Sequence, residues 1–197
     1  MFELEQIAAV HVEMLFQELY DEKMIFHNLE HTISVVKQAE EIAEFYKLSQ
    51  KERFVTIVAA WFLHTGRLFS KATESAPVSA KIMQNFLTIN KCEPDIINKI
   101  AGCILATQTP AVPNQLTEQI LYDANTYYLG TAEFSVYNEK LRQELHIRYG
   151  IEMADWPTYS IEFLKNHTYF TSYCQKKLNA GKQNNIKQLE NIICSNS

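Results

Sequence analysis

The stretch SQKERFVTIVAAWFLHTG, residues 49–66, decides the fold class of this chain. Ser49 and Glu52 form a capping-box pattern, in which each side chain bonds a backbone N–H group of the first helical turn. From Phe54 to Leu63 nearly every residue is apolar. Because a helix that is apolar all round must be buried on every side, this segment is predicted to be the central helix.

A buried strand is the alternative for this segment, because Val55, Ile57 and Val58 are β-branched. The capping box and the lack of a candidate partner strand favour the helix. The rest of the chain also favours helices, since only 5 Gly and 5 Pro interrupt 197 residues. The expected fold class is therefore all-α, with eight or nine helices in one compact domain over 1–197.

Local signals indicate where several helices begin and end. Asn28 suits the N-cap of a helix that carries an apolar stripe. A late helix is expected to begin at Asp155 and to run to about 179. Gly181 is then expected to separate it from a last helix at 183–193, because glycine commonly follows the end of a helix.

Charge and composition argue against several classes of function. Asp plus Glu is 23, Lys plus Arg is 18, and the net charge is -5 without any basic block. A nucleic-acid duplex is therefore not an expected partner. The longest apolar run is about half of a membrane span, so no membrane partner is expected. The start MFELEQ is acidic where a signal peptide is basic. The four cysteines form no CxxC pair, which favours reduced thiols in the cytoplasm.

Polar groups with metal-ligand or catalytic chemistry stand at the edges of four apolar helices. Imidazole and carboxylate together suit a divalent transition metal. Two histidines and one carboxylate from three helices can hold an ion and leave positions for water and substrate. The groups are His27 and His31 in FHNLEH, His64 and Thr65 in LHT, Thr107 and Gln108 in LATQ, and Asp123 and Asn125 in LYDAN.

Each group also has a simpler structural interpretation. His27 and His31, four residues apart, are alternatively surface or capping residues. His64 is alternatively a helix-terminal histidine that interacts with the helix dipole. Asp123 is alternatively an interior carboxylate that accepts hydrogen bonds from backbone N–H groups or from an arginine such as Arg142.

The order of these motifs resembles the HD-domain superfamily of metal-dependent phosphohydrolases, most closely its small bacterial branch of predicted phosphohydrolases. That family reads YHNxxHT, AxxFHDxGY, I.AT, DADxxxLG and YxxxLRxE. The resemblance spans roughly residues 1–190 and implies a helical fold with a phosphoester pocket. The corresponding segments here are FHNLEHT (26–32), AAWFLHTGR (59–67), ILATQ (104–108), DANTYYLG (123–130) and YNEKLRQE (137–144).

The resemblance implies His31, His64 and Asp123 as ligands of a divalent transition metal such as Mn, Fe or Zn. The family's fourth ligand is the aspartate of the His-Asp doublet, and Thr65 stands in its place. A threonine hydroxyl is a poor ligand, and even an outer-shell loss typically costs about 10–100-fold in metal affinity or activity. Occupancy by a metal is therefore doubtful, although Thr65 and Asp123 remain the positions of the family's catalytic residues.

Further departures fall in the same implied pocket. Arg67 replaces a tyrosine, Gln108 replaces a frequent lysine, and Asn125 replaces the second aspartate of the DAD pattern. A His-Glu pair that many relatives carry is missing, although Glu74 lies nearby in sequence. With His27, these three replacements are the expected ligand-binding residues.

Three functional hypotheses follow. The first is a pseudoenzyme that binds a nucleotide or another small phosphorylated molecule, with Arg67 supplying positive charge. The second is a weakly active phosphohydrolase with one metal ion. The third is a structural or interaction module with a vestigial pocket, for which a homodimer is one option.

Overall fold

The computed structural model describes residues 1–70, 75–108 and 112–195. Within these ranges the chain forms nine α-helices and two short 3-10 turns and no strand, which confirms the all-α prediction. No helix in the described ranges is both long and apolar enough to cross a bilayer. The helices are α1 (Phe2–Glu18), α2 (Leu29–Phe45), α3 (Gln50–Phe62), α4 (Ala76–Ile89), α5 (Pro94–Leu105), α6 (Leu116–Asn125), α7 (Phe134–Tyr149), α8 (Trp156–Asn166) and α9 (Ser172–Ser195), and the 3-10 turns are Thr65–Leu68 and Tyr127–Gly130.

Helix α3 is the central element, as the stretch 49–66 predicted. The capping box is formed: Glu52 N donates to Ser49 Oγ, and Ser49 N donates to the Glu52 carboxylate. Eight of the 13 residues of α3 are buried, and the helix packs against α1, α2, α4, α5 and α6. Full burial of a Phe or Ile side chain contributes roughly 1.5–3 kcal/mol, so this helix anchors the main core. Its end therefore places His64 in the interior.

The turn after α3 depends on a glycine. A Cβ added to Gly66 would lie 2.2 Å from Ser75 O and 2.7 Å from Ser79 N. Ser79 Oγ accepts a hydrogen bond from Gly66 N (2.8 Å) and donates one to Leu63 O (2.7 Å). These contacts fix the turn between His64 and Arg67 against the start of α4.

A second, smaller core lies towards the C-terminus, where α8 and α9 pack against each other and α9 packs against the second 3-10 turn. Its side chains are apolar and less than 10% exposed. They are Leu129, Phe134, Ile161, Leu164, Ile186 and Leu189.

The C-terminal helices differ from the prediction. Helix α8 ends at Asn166, residues 167–171 connect without helix, and α9 then runs unbroken from Ser172 to Ser195. The predicted break at Gly181 was wrong, because Gly181 lies inside α9. A Cβ there would lie 2.0 Å from Gly130 O. Glycine at this position permits a close approach of two backbones and does not end the helix.

Candidate functional site

Three imidazoles meet in the interior at the place where two of the sequence motifs come together. The ring centroids are 5.0 Å apart for His31 and His64, 5.1 Å for His27 and His64, and 6.0 Å for His27 and His31. Asn28 caps α2 by accepting a hydrogen bond from His31 N, which confirms the predicted N-cap and holds His31 in the first turn. We call His27, His31 and His64 the histidine cluster.

The histidine cluster is neutral around pH 7. All three side chains are buried. Burial lowers the pKa of His31 to about 4, and the neighbouring Asn125 and Glu144 side chains only partly offset this effect. Burial also lowers the pKa of His27 and His64 well below the ordinary value, and the Arg67 guanidinium lowers both further. The cluster therefore presents neutral imidazoles rather than cations.

Glu144 of α7 orients His27. The Nδ1 atom of His27 lies 2.6 Å from Glu144 Oε1, and Glu144 Oε2 accepts from Phe26 N (2.7 Å) and His27 N (2.9 Å). Since a carboxylate only accepts, Nδ1 of the neutral imidazole carries the proton and Nε2 is the unprotonated nitrogen. The sequence motifs did not indicate this role, although Glu144 is the last residue of the segment YNEKLRQE.

Asn125 bonds to His64 inside the site. Asn125 Oδ1 accepts a hydrogen bond from His64 Nε2 at 3.1 Å, so His64 carries its proton on Nε2. Nε2 of His31 is buried and has no hydrogen-bond partner among the described residues.

The oxygens of Thr65 and Asp123, which the resemblance implies as catalytic positions, take part in other hydrogen bonds. Asp123 Oδ1 accepts from Phe170 N (2.9 Å), and Oδ2 accepts from Thr171 N (2.8 Å) and Thr171 Oγ1 (2.6 Å). Thr65 Oγ1 donates to Phe62 O (2.8 Å). Burial raises the pKa of Asp123, and these hydrogen bonds oppose that rise. The arrangement corresponds to the alternative of an interior carboxylate bonded to backbone N–H groups, whereas Arg142 pairs with Glu139.

As arranged, these residues do not fit the metal site that the resemblance implies. The Asp123 carboxylate already accepts three hydrogen bonds from residues 170–171. In the described ranges, no group of three His, Cys, Asp or Glu side chains is placed to hold a metal. The metal ligand set stays a prediction, and Glu74 lies outside the described residues.

Two arginines bring positive charge to the site. Arg67 Nη1 donates to Tyr149 Oη at 3.1 Å, and Arg148 donates to the carbonyl oxygens of Arg67 and Ser70. Both guanidinium groups lower the pKa of His27, although burial is the larger cause. Arg67 Nε, Arg148 Nε and Arg148 Nη1 are buried and lack a hydrogen-bond partner within the described chain. A buried donor without an acceptor costs roughly 1–3 kcal/mol or more, and a bound anion would remove this cost.

The LATQ segment forms the C-terminal end of α5 and the residues after it. Thr107 Oγ1 donates to Ile104 O (2.7 Å), and Gln108 N donates to Leu105 O (3.2 Å). Three of the four predicted ligand-binding residues, His27, Arg67 and Asn125, therefore lie at the histidine cluster. The fourth, Gln108, follows the end of α5.

Two of the cavities formed by the described residues lie next to the site, and they differ in charge. One, of about 570 Å³, is lined by Asp21, Glu22 and Glu30, whose carboxylates do not suit a phosphate. The other, of about 330 Å³, extends from His31 between α2, the second 3-10 turn and α7. We call it the tyrosine pocket, and its lining is His31, Ser34, Val35, Gln38, Ala124, Tyr127, Tyr128, Thr131, Glu133 and Tyr137.

Comparisons of the chain with models of protein families, with curated protein sequences and with solved structures find no match.

Proposed function

We propose that this protein binds a small phosphorylated molecule, such as a nucleotide, beside the histidine cluster, with arginine side chains in place of a metal ion. The observation that carries the proposal is the set of three buried, unpartnered guanidinium nitrogens on Arg67 and Arg148. A guanidinium group matches the geometry of phosphate oxygens and binds them through charge-assisted hydrogen bonds. A phosphate would therefore both neutralise the charge and satisfy the donors.

The histidines have a complementary role in this proposal. A phosphate dianion beside His31 would raise the pKa of its imidazole, because an opposite charge favours the protonated form. The protonated Nε2 of His31 would then donate to a phosphate oxygen. The neutral cluster is thus able to accept a proton as the ligand binds, while Glu144 keeps His27 in one tautomer.

The motif order is the second support for a phosphorylated ligand. We propose that the chain is an HD-superfamily protein in which hydrolysis is impaired or lost, that is, a pseudoenzyme. Metal ions in phosphohydrolases activate water and offset phosphate charge. Here the side-chain oxygens of Thr65 and Asp123 already form hydrogen bonds within the fold. Arg67 and Arg148 would offset charge in this proposal, but a guanidinium group does not generate hydroxide.

The test is binding of pyrophosphate by calorimetry to protein that has been stripped of metal by chelation and then dialysed. Arg67→Met and Arg148→Met should each weaken binding by about 10-fold or more, because a hydrogen bond to a charged group contributes roughly 1.5–3 kcal/mol. Arg142→Met is the matched control, since Arg142 is an exposed arginine of α7 that pairs with Glu139. Binding that Arg67→Met and Arg148→Met leave unchanged would contradict the proposal.

One observation favours the alternative of a one-metal phosphohydrolase. Histidines that ligate metals commonly donate their other ring N–H to a carboxylate, as His27 does to Glu144. On this alternative His31, His64 and Asp123 would hold the ion, as the resemblance implies, and His27 would be a further ligand. About one equivalent of Mn, Fe or Zn in purified protein, lost in His64→Ala, together with phosphoester turnover, would favour it. A defined oligomer that binds neither metal nor pyrophosphate would favour an interaction module.

A further inference from the structure

We infer that the tyrosine pocket is the other half of the ligand site and binds a neutral planar ring that carries a hydrogen-bond donor, such as the amino-bearing base of a nucleotide. The inference deepens the proposed function, and it rests on that function for the position of the phosphate. His31 belongs to both the tyrosine pocket and the histidine cluster, so one molecule can span the two.

Aromatic rings form the walls of the pocket. The rings of Tyr128 and Tyr137 lie 5.4 Å apart at 50°, and each lies about 6 Å from the His31 ring (6.2 Å and 6.1 Å). Tyr127 is held in place because its hydroxyl donates to Glu41 Oε1 at 2.8 Å. Such walls favour a flat ligand, since aromatic faces and edges pack against rings in stacked or tilted geometry.

A polar atom along the pocket lacks a partner. Gln38 Oε1 is buried and accepts no hydrogen bond within the described part of the chain. Gln38 follows Ser34 by four residues and His31 by seven, so the three lie on one face of α2. An unpaired buried acceptor is unfavourable unless a ligand supplies a donor. The pocket therefore selects a ring with an N–H or O–H group.

The charges around the pocket are of both signs and do not favour a charged ring. Glu133 lines the pocket. The two nearby ammonium groups each pair with a carboxylate: Lys140 Nζ lies 3.5 Å from Glu30, and Lys177 Nζ lies 2.8 Å from Glu41. The volume of about 330 Å³ is at the lower end of small-molecule sites, roughly 300–1,000 Å³, and suits one ring system rather than a large cofactor.

The test uses adenosine, cytidine and guanosine, which carry the ring but no phosphate, so the outcome does not depend on the arginines. At least one of them should bind in a calorimetric or NMR titration, and Gln38→Met should weaken that binding by about 10-fold or more. Tyr137→Ala, which removes one wall, should weaken it as well. Lys37→Met is the matched control, because Lys37 is the exposed neighbour of Gln38.

Failure of this inference is distinguishable from failure of the proposed function. Pyrophosphate binding that depends on Arg67, with no nucleoside binding or with binding that Gln38→Met leaves unchanged, would overturn the ring site alone. Nucleoside binding that depends on Gln38, with no pyrophosphate binding, would support the ring site and contradict the phosphate site.

Discussion

Glu144 and His27 are joined by a hydrogen bond of 2.6 Å although 117 residues separate them in the chain. The same carboxylate also accepts the backbone N–H groups of Phe26 and His27. Because Glu144 is fully buried, these three bonds take the place of hydrogen bonds to water. The contact attaches α7 to the turn before α2 and sets the tautomer of one histidine in the site.

Glu144→Ala should lower the free energy of unfolding by about 3–5 kcal/mol, because it leaves several buried donors without an acceptor. Urea denaturation measures the change. Glu139→Gln is the matched control on the same helix, where the bonds to Arg142 and Gln143 are exposed and the expected loss is about 0.5 kcal/mol or less. Equal losses of unfolding free energy in the two variants would show that the buried contact stabilises the fold no more than the exposed one.

Asp123→Asn should reduce stability by about 1–3 kcal/mol and leave pyrophosphate affinity unchanged. The reason is that both oxygens of Asp123 hold the chain at Phe170 and Thr171, immediately before α9. Denaturation and calorimetry on the same preparation separate the two effects. If Asp123 is instead a metal ligand, the variant should lose bound metal while its stability without metal stays that of the parent.

Thr65→Asp should destabilise the protein by about 2 kcal/mol or more and should not raise its affinity for Mn or Zn. The buried Thr65 hydroxyl donates to Phe62 O. An aspartate carboxylate has no proton to donate, so two hydrogen-bond acceptors would be buried against each other. Thr65→Ser keeps the donor and should cost only about 1 kcal/mol for the lost methyl group. A tenfold gain in metal affinity for Thr65→Asp would favour the one-metal alternative.

Two glycine substitutions should change stability in opposite directions. Gly66→Ala should cost about 2 kcal/mol or more, since the new Cβ would collide with the backbone at Ser75 and Ser79. Gly102→Ala, inside α5, meets nothing closer than Glu118 Oε1 at 3.8 Å and should add about 0.5–1 kcal/mol. Thermal or chemical denaturation of both variants checks the contrast, and a loss in Gly102→Ala equal to that in Gly66→Ala would contradict it.

Stability should fall as the pH falls below about 6.5, because buried histidines resist protonation in the folded state. Burial, with a smaller effect of Lys182, lowers the pKa of His167 to about 3. Between these pH values the unfolded chain binds the proton and the folded chain does not, so this histidine contributes about 1.4 kcal/mol of loss per pH unit.

Denaturation at a series of pH values between 4.5 and 6 measures this slope. His167→Gln should flatten it by about 1.4 kcal/mol per pH unit relative to the parent. His146→Gln, at an exposed histidine of α7, is the control. An unchanged slope in His167→Gln would mean that His167 does not contribute to the acid sensitivity.

The sequence predicted those parts of the fold whose signals are local. The capping box at Ser49 and the N-cap at Asn28 lie within one turn of the groups that they satisfy, and both are confirmed. The prediction at Gly181 was wrong because glycine can either end a helix or allow two backbones to approach closely. Only the position of Gly130 in three dimensions distinguishes these two roles.

The candidate site was predictable only in part. The motifs located His27, His31 and His64, which do meet. They did not show where the oxygens of Asp123 point, since its partners at 170–171 lie outside the five motif segments. Side-chain direction is decided by neighbours that are distant in sequence.

The contact between Gly130 and Gly181 gives α9 an influence on a pocket that none of its residues lines. Gly130 ends the turn that carries Tyr127 and Tyr128. Helix α9 therefore packs against the back of one wall of the pocket. A methyl group at position 181 would begin 2.0 Å from Gly130 O, and ordinary contact would push the turn forward by roughly an ångström or more. The width of the tyrosine pocket therefore depends on the missing side chain of Gly181, which lies behind the pocket wall.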